Sequence, residues 1–126
     1  MVLLDTSVLI DTLTGPKRSG SRLRNAIERG ERLLVPALVL YEWLRGPRLA
    51  EEIASQEALF PNALAVSFGS AEAAISARLY RTLRRPRGRE VDFAIAACAI
   101  NHSAELWTLN RADFTDIPAL RLYLAS

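Results

Sequence analysis

The chain has 126 residues, a formal net charge of +2 and a hydrophobic content of 50%. This length fits one domain with a substantial core and excludes two. A single cysteine excludes an internal disulfide and is typical of a reducing compartment, and no apolar run approaches the roughly 20 residues of a membrane span. Because the first residues also lack the basic segment of a secretory signal, we expect one cytoplasmic domain over residues 1–126.

Short apolar runs alternate along the chain with longer amphipathic segments. We predict strands at residues 2–4, 32–35, 63–66, 106–109 and 120–124, and helices at residues 7–13, 21–29, 36–45, 49–59, 71–83 and 91–102. The fifth helix has Ser70 as its predicted N-cap. Alternation of this kind is typical of a parallel sheet covered by helices. The predicted fold is therefore α/β, a three-layer α/β/α arrangement with a central parallel sheet of four to five strands.

Four acidic residues stand inside these apolar elements or shortly after them. They are Asp5, Glu42, Asp92 and Asp113. Asp5 directly follows the first predicted strand, and in open α/β sheets ligands bind beyond the carboxyl ends of the strands. A carboxylate placed against apolar surroundings is costly unless its charge is compensated. As a set, the four acids indicate a bound cation.

Each acid taken alone also has an ordinary structural explanation, and for Asp113 it is a turn-like segment, where aspartate is common. Asp5 can cap the helix that follows it. Glu42 stands three residues before Arg45, which is the spacing of an exposed ion pair on a helix. Asp92 lies in the first turn of a helix, where the helix dipole stabilises an acid. Only the combination of the four therefore predicts a metal site.

The donor types predict a hard cation. Mg²⁺ and Mn²⁺ prefer carboxylate oxygens and water. Zinc is disfavoured because His102 and Cys98 are the only residues of their types. We therefore expect Mg²⁺, with Mn²⁺ as a substitute.

Arginine makes up fifteen of the sixteen basic residues. Six arginines fall within twelve residues: Arg78, Arg81, Arg84, Arg85, Arg87 and Arg89. A solvated helix face explains part of this cluster. The rest is available as a patch that faces phosphates, since arginine contacts phosphate bidentately.

Four segments follow one another in the order and at the approximate spacing of a known family. They are Asp5-Thr6-Ser7-Val8-Leu9-Ile10, Glu42 within a helix, Asp92-Phe93-Ala94-Ile95-Ala96-Ala97, and Thr108-Leu109-Asn110-Arg111-Ala112-Asp113-Phe114. With these segments the chain resembles the PIN-domain ribonucleases and, within them, the VapC toxins of toxin–antitoxin pairs. The patterns D-T-S-x-L-I and T-x-N-x-x-D-F are together specific in a chain of this size.

The resemblance implies a PIN-like fold and a Mg²⁺-dependent endoribonuclease that acts as a toxin. The implied catalytic acids are Asp5, Glu42, Asp92 and Asp113, and the implied metal ligands are Asp5, Asp92 and Asp113. The supporting polar residues are expected to be Thr6, Ser7, Asn110 and Asp116. Contact with RNA is assigned to Arg84, Arg85, Arg87 and Arg89.

The expected partners are RNA, a cognate antitoxin protein and a second copy of the chain. The homodimer is inferred from the apolar excess, which includes Trp43, Leu44, Leu59 and Phe60. Two alternatives stay open: a PIN-type RNA-processing nuclease without an antitoxin, and a catalytically silent RNA- or protein-binding module on the same fold. A P-loop enzyme is excluded because the chain has no G-x-x-x-x-G-K segment.

Overall fold

Four short parallel strands form a single central sheet. The computed structural model describes the whole chain, residues 1–126. The strands are β1 (Val2–Leu4), β2 (Leu33–Leu34), β3 (Glu105–Trp107) and β4 (Arg121–Leu122), in the sheet order β2-β1-β3-β4. All three neighbouring pairs run parallel. The predicted parallel sheet is therefore confirmed, with four strands.

Six helices cover this sheet. They are α1 (Thr6–Leu13), α2 (Gly20–Glu28), α3 (Ala37–Arg45), α4 (Ala50–Leu59), α5 (Ser70–Thr82) and α6 (Glu90–Asn101). Each begins and ends within one residue of its predicted bounds. The three-layer α/β/α fold is confirmed. None of the helices combines the length and the apolar character needed to cross a membrane.

The core of the molecule is built around β1 and α6. Val2, Leu3 and Leu4 are fully buried, as expected for a strand whose two faces are both covered by helices. Along α6, every residue from Phe93 to Ala99 is buried, and the helix packs between α5 and β3. The end of β1 and the start of α6 therefore have fixed positions, and these are the places of Asp5 and Asp92.

The predicted strand at residues 63–66 is wrong. Asn62–Leu64 forms a 3-10 turn, in which the Leu64 N–H donates to the Pro61 carbonyl at 2.9 Å. Only Val66 pairs in a parallel manner, through an isolated bridge with Pro36. The proline-led turn uses the backbone groups that a longer strand would need.

The predicted N-cap at Ser70 is also wrong, because Ser70 lies inside α5 and Gly69 occupies the N-cap position. The Gly69 N–H donates to Glu72 Oε1 at 2.7 Å. The helix start is thus stabilised by a carboxylate two residues after Ser70 and not by the serine hydroxyl.

Candidate active site

Asp5 lies where β1 ends, directly beside the end of β3. Leu4 pairs with Trp107 in the register of the two strands, and the Asp5 N–H donates to the Trp107 carbonyl at 2.9 Å. The Asp5 side chain is buried and accepts a hydrogen bond from Thr108 Oγ1 at 2.7 Å. Asp5 occupies the N-cap position of α1 but its side chain makes no capping hydrogen bond. Its carboxylate is therefore committed to the edge of the sheet and not to the helix.

Two hydroxyl groups connect the Asp5 carboxylate to the segment after β3. Ser7 Oγ donates to Asp5 Oδ2 at 3.2 Å and accepts the Leu109 N–H at 3.0 Å. Thr108 Oγ1 donates to the same carboxylate oxygen and accepts the Asn110 N–H at 3.0 Å. Burial raises the pKa of Asp5, and the hydrogen bonds from Thr108 and Ser7 oppose that rise. The hydroxyls therefore favour the charged form of a buried acid.

Thr108 is absent from the predicted site residues, although it begins the T-x-N-x-x-D-F segment. The predicted strand at residues 106–109 includes Thr108, whereas β3 ends at Trp107. Thr108 therefore directly follows β3 just as Asp5 directly follows β1. Polar residues that directly follow two neighbouring parallel strands lie side by side, and this spacing is the signal that identifies Thr108.

Glu42 reaches the same region from α3. Thr6 Oγ1, at the start of α1, donates to Glu42 Oε1 at 2.6 Å. Arg45 Nη2 also lies 3.6 Å from Glu42 Oε2, as the spacing of the two residues predicts. Because the Arg45 side chain is 59% exposed, this ion pair contributes little. The hydrogen bond from Thr6 is thus the contact that ties Glu42 to the residues following β1.

Asp92 is half-buried in the first turn of α6. Burial and the negative charges of three other acids raise its pKa from 3.8 to about 6. Those acids, in order of their effect, are Asp5, Asp113 and Glu42. Arg89 opposes the shift. Because Coulomb coupling weakens with distance, the four acids predicted from the sequence share one local electrostatic field.

Asp113 and Asp116 belong to the segment between β3 and β4. Asp113 ends the 3-10 turn at Arg111–Asp113 and is exposed. Asp116 is also exposed, and its two carboxylate oxygens accept hydrogen bonds from Arg89 at 2.6 and 3.0 Å. These hydrogen bonds and the positive charge of Arg89 lower the pKa of Asp116. Asp116 is therefore engaged with an arginine, whereas Asp113 acts on Asp92 through its charge.

Residues 2–120, which carry all four acids, match the family model of the PIN domain. The chain belongs to the PIN-domain family. It is 36% identical over 123 residues to Ribonuclease VapC19 of Mycobacterium tuberculosis, and the alignment covers 96% of this chain and 98% of that protein.

Solved structures of toxin–antitoxin complexes contain chains with the same fold as this PIN domain. A chain of the DNA-bound VapBC complex from Salmonella typhimurium aligns with a TM-score of 0.78 at 22% identity, covering 97% of this chain and 96% of that one. A chain of a toxin–antitoxin complex from Klebsiella pneumoniae aligns with a TM-score of 0.68 at 26% identity, covering 95% of both. These likenesses agree with the predicted PIN-like architecture.

The donor atoms at the acidic edge of this PIN domain are of the chemical type that a hard divalent cation binds. Carboxylate and hydroxyl oxygens are the ligands that Mg²⁺ and Mn²⁺ prefer. As the side chains stand, no three acids, histidines or cysteines are grouped so as to hold a metal ion by themselves. The raised pKa of Asp92 reflects its burial first and then repulsion by the other acids, and a cation bound between the acids would relieve that repulsion.

The arginines of the segment 84–89 differ in their surroundings. Arg84, Arg85 and Arg87 are exposed. Arg85 and Gly88 have positive φ angles of 52° and 84°, so the loop turns sharply before α6. The Arg89 side chain is only 21% exposed and is paired with Asp116. The exposed three are thus accessible to a polyanion, whereas Arg89 already has a partner within the chain.

Proposed function

We propose that this PIN domain is a metal-dependent endoribonuclease that acts as the toxin of a toxin–antitoxin pair. The observation that carries the proposal is the hydrogen-bonded group in which Thr108 and Ser7 hold the Asp5 carboxylate and Thr6 holds that of Glu42. Burial and the charges of these acids and of Asp113 raise the pKa of nearby Asp92 to about 6. Perturbed pKa values of this kind cluster at functional sites. The 36% identity to a protein named as a ribonuclease supports RNA as the substrate.

The four acids have distinct proposed roles. Asp5 and Asp92 are direct ligands of Mg²⁺ or Mn²⁺, and Asp113 completes the site directly or through water. A divalent cation held there would lower the pKa of a water molecule and neutralise charge on the phosphodiester. Glu42, whose carboxylate is held by Thr6, is a further ligand or orients the attacking water.

The hydroxyl groups of Thr6, Ser7 and Thr108 act on the acids. Ser7 and Thr108 favour the ionised form of Asp5, which is the form that binds a cation. Asn110 supports Thr108 through its backbone N–H. The proposed site is thus an acidic edge whose carboxylates are held by hydroxyl groups at the start of α1 and directly after β3.

The proposal is tested by cleavage of a labelled RNA with and without a chelator. We expect cleavage to stop in EDTA and to return when excess Mg²⁺ or Mn²⁺ is added. Cleavage that continues undiminished in EDTA would contradict the metal-dependent mechanism. RNA that binds but is not cut with any divalent cation would instead favour the silent binding module.

We also propose that the basic segment contacts the RNA backbone, with the exposed Arg84, Arg85 and Arg87 making the contact and Arg89 at its border. Replacing Arg85 and Arg87 by glutamine should weaken RNA binding and flatten its salt dependence, because fewer counterions are released. The slope of log K against log salt should fall by about 1.4, roughly 0.7 for each lost contact with single-stranded RNA.

The matched control for this double variant replaces Arg18 and Arg32, which are exposed elsewhere on the chain, by glutamine. Both double variants lose the same charge. Equal salt slopes for the two would show that the effect is one of net charge and that the segment 84–89 does not contact RNA.

Assembly with a cognate antitoxin and with a second copy of the chain is part of the proposal. Of the apolar residues expected at the surface, Trp43 and Phe60 are in fact buried in the core. Leu44 and Leu59 are each 44% exposed and remain candidates for an interface. Light scattering at tens of micromolar should give a mass near twice 13.9 kDa. A mass of one chain would contradict the homodimer.

The presence of a cognate antitoxin would distinguish a toxin from an RNA-processing nuclease of the same fold. Likeness to a chain of the Klebsiella pneumoniae toxin–antitoxin complex supports the toxin. A small adjoining reading frame whose product binds this chain and stops RNA cleavage is the expected finding. A chain encoded without such a neighbour, and active alone, would favour the processing enzyme.

A further inference from the structure

We propose that Arg89 is a positioning residue, whose guanidinium holds the turn carrying Asp113 against the start of α6 and so sets Asp113 relative to Asp92. The expected effect of Arg89 on cation binding rests on the proposed function. The contacts of Arg89 with Asp113 and Asp116, which we call the clamp, belong to the fold itself and can be tested without metal or RNA.

The guanidinium of Arg89 binds the turn segment at two points. It donates to both carboxylate oxygens of Asp116, at 2.6 and 3.0 Å. Its Nη2 also donates to the backbone carbonyl of Asp113 at 3.1 Å. Arg89 therefore contacts the two ends of the stretch 113–116, and this restricts rotation of the turn more than one contact would.

The same guanidinium is fixed on the side of α6. Its carbon atom lies 4.7 Å from the centroid of the Phe93 ring, over which it stacks. Its Nη1 donates to the Arg84 carbonyl at 3.2 Å, which ties it to the basic loop. Phe93 is buried in α6 directly after Asp92. One side chain thus links the loop, the first turn of α6 and the turn after β3.

This set of contacts requires arginine. The planar guanidinium offers donors in a fixed fork and a flat face that stacks on an aromatic ring, whereas the ammonium of lysine is a point charge without either feature. An exposed ion pair alone contributes little. Here the pair is bidentate and is combined with backbone hydrogen bonds on a side chain that is only 21% exposed.

The clamp matters because Asp113 lies on an exposed turn, whereas Asp5 and Asp92 lie on elements of the core. Asp113 nevertheless contributes to the raised pKa of Asp92, so the turn is near enough for the two charges to interact. Partners that orient a metal ligand typically change metal affinity by about 10–100-fold when they are removed. Arg89 is such a partner for Asp113, acting through the backbone of the turn.

The experiment compares Arg89→Lys and Asp116→Asn with the control Arg32→Lys, in which the same exchange is made at an exposed arginine before β2. Mn²⁺ binding to each metal-free protein is measured by titration calorimetry. We expect both variants to bind Mn²⁺ about tenfold more weakly than the parent, with the control unchanged. The double variant should lose little more than either single one, because the two side chains form one unit.

Amide hydrogen exchange of residues 111–116, followed without metal, tests the clamp separately. Exchange in this turn should be faster in Arg89→Lys and in Asp116→Asn than in Arg32→Lys. If the parent binds no Mn²⁺ at all, the proposed metal site fails while the exchange rates still decide the clamp. If Arg89→Lys does not fold, the exchange rates of Asp116→Asn test the clamp in its place, because this variant alters only an exposed carboxylate.

Two outcomes would overturn the inference. Unchanged exchange and Mn²⁺ affinity in Arg89→Lys, together with a raised KM for RNA, would make Arg89 an RNA contact. A tighter Mn²⁺ site in Arg89→Lys and a weaker one in Asp116→Asn, without any change in exchange, would make Asp116 itself a metal ligand that Arg89 blocks.

Discussion

Replacing Asp92 by asparagine should abolish RNA cleavage and, at the same time, raise the melting temperature of the metal-free protein by a few degrees. If Asp92 is the metal ligand that we propose, its loss removes stabilisation worth several kcal/mol in the transition state, so we expect a decrease on the order of a thousandfold or more. The gain in stability has a separate cause, because neutral asparagine avoids the cost of burying the Asp92 charge and the repulsion from the other three acids. A substitution that improves the fold and destroys activity is the expected behaviour of a strained functional site.

The pH dependence of this stabilisation follows from the pKa of Asp92. The carboxyl has its ordinary pKa of 3.8 in the unfolded chain and a pKa raised to about 6 in the fold, by burial and by the nearby acids. Between these values the folded protein binds more protons than the unfolded chain, so stability is lost as the pH rises through about 6. The advantage of Asp92→Asn should therefore be full above that pH and should fade as the pH falls toward about 4.

Glu90→Gln is the matched control for Asp92→Asn. Glu90 is an exposed acid in the same first turn of α6, and its Oε1 accepts the Gly88 N–H at 3.2 Å. Because acids are favoured at a helix start, its neutralisation should leave the melting temperature unchanged or lower it slightly. If Asp92→Asn also melts lower than the parent, Asp92 is a helix-stabilising acid and its assignment to the metal site is wrong.

Removing the Thr108 hydroxyl is the second change with a large expected effect. Thr108→Val keeps the shape of the side chain but deletes the 2.7 Å hydrogen bond to the buried Asp5 carboxylate. We expect cleavage to fall by about 10–100-fold, as for other residues that orient a ligand. Leaving a buried acceptor without this partner should also cost about 1–3 kcal/mol of stability.

The pH–rate profile separates this role of Thr108 from a loss of packing. The hydrogen bond from Thr108 lowers the pKa of Asp5, so without it the pKa should rise further. The acidic limb of the profile should therefore move to higher pH in Thr108→Val and stay in place in Thr108→Ser, which retains the hydroxyl. A valine variant with the profile of the parent would show that Thr108 does not act on Asp5.

Local patterns were sufficient for the helices. All six lie within one residue of their predicted bounds because hydrophobic periodicity and glycine or proline breaks are encoded in neighbouring residues. The prediction of a strand at residues 63–66 was wrong because a short apolar segment is compatible with several conformations. Its outcome depended on the turn begun at Pro61 and on the distant backbone of Pro36.

The α/β fold and the order of the elements followed from the sequence, which also singled out four acids that the fold couples through their charges. Acids beside apolar runs stand out in a linear pattern because their burial needs a compensating partner. The groups that touch those acids, in contrast, became visible in the folded chain. Thr108 meets Asp5 across 103 positions because Leu4 and Trp107 are in register, and Arg89 meets Asp116 across 27 positions because a turn packs against α6. Side-chain partners so far apart depend on strand register and packing direction, which hydrophobic periodicity does not encode.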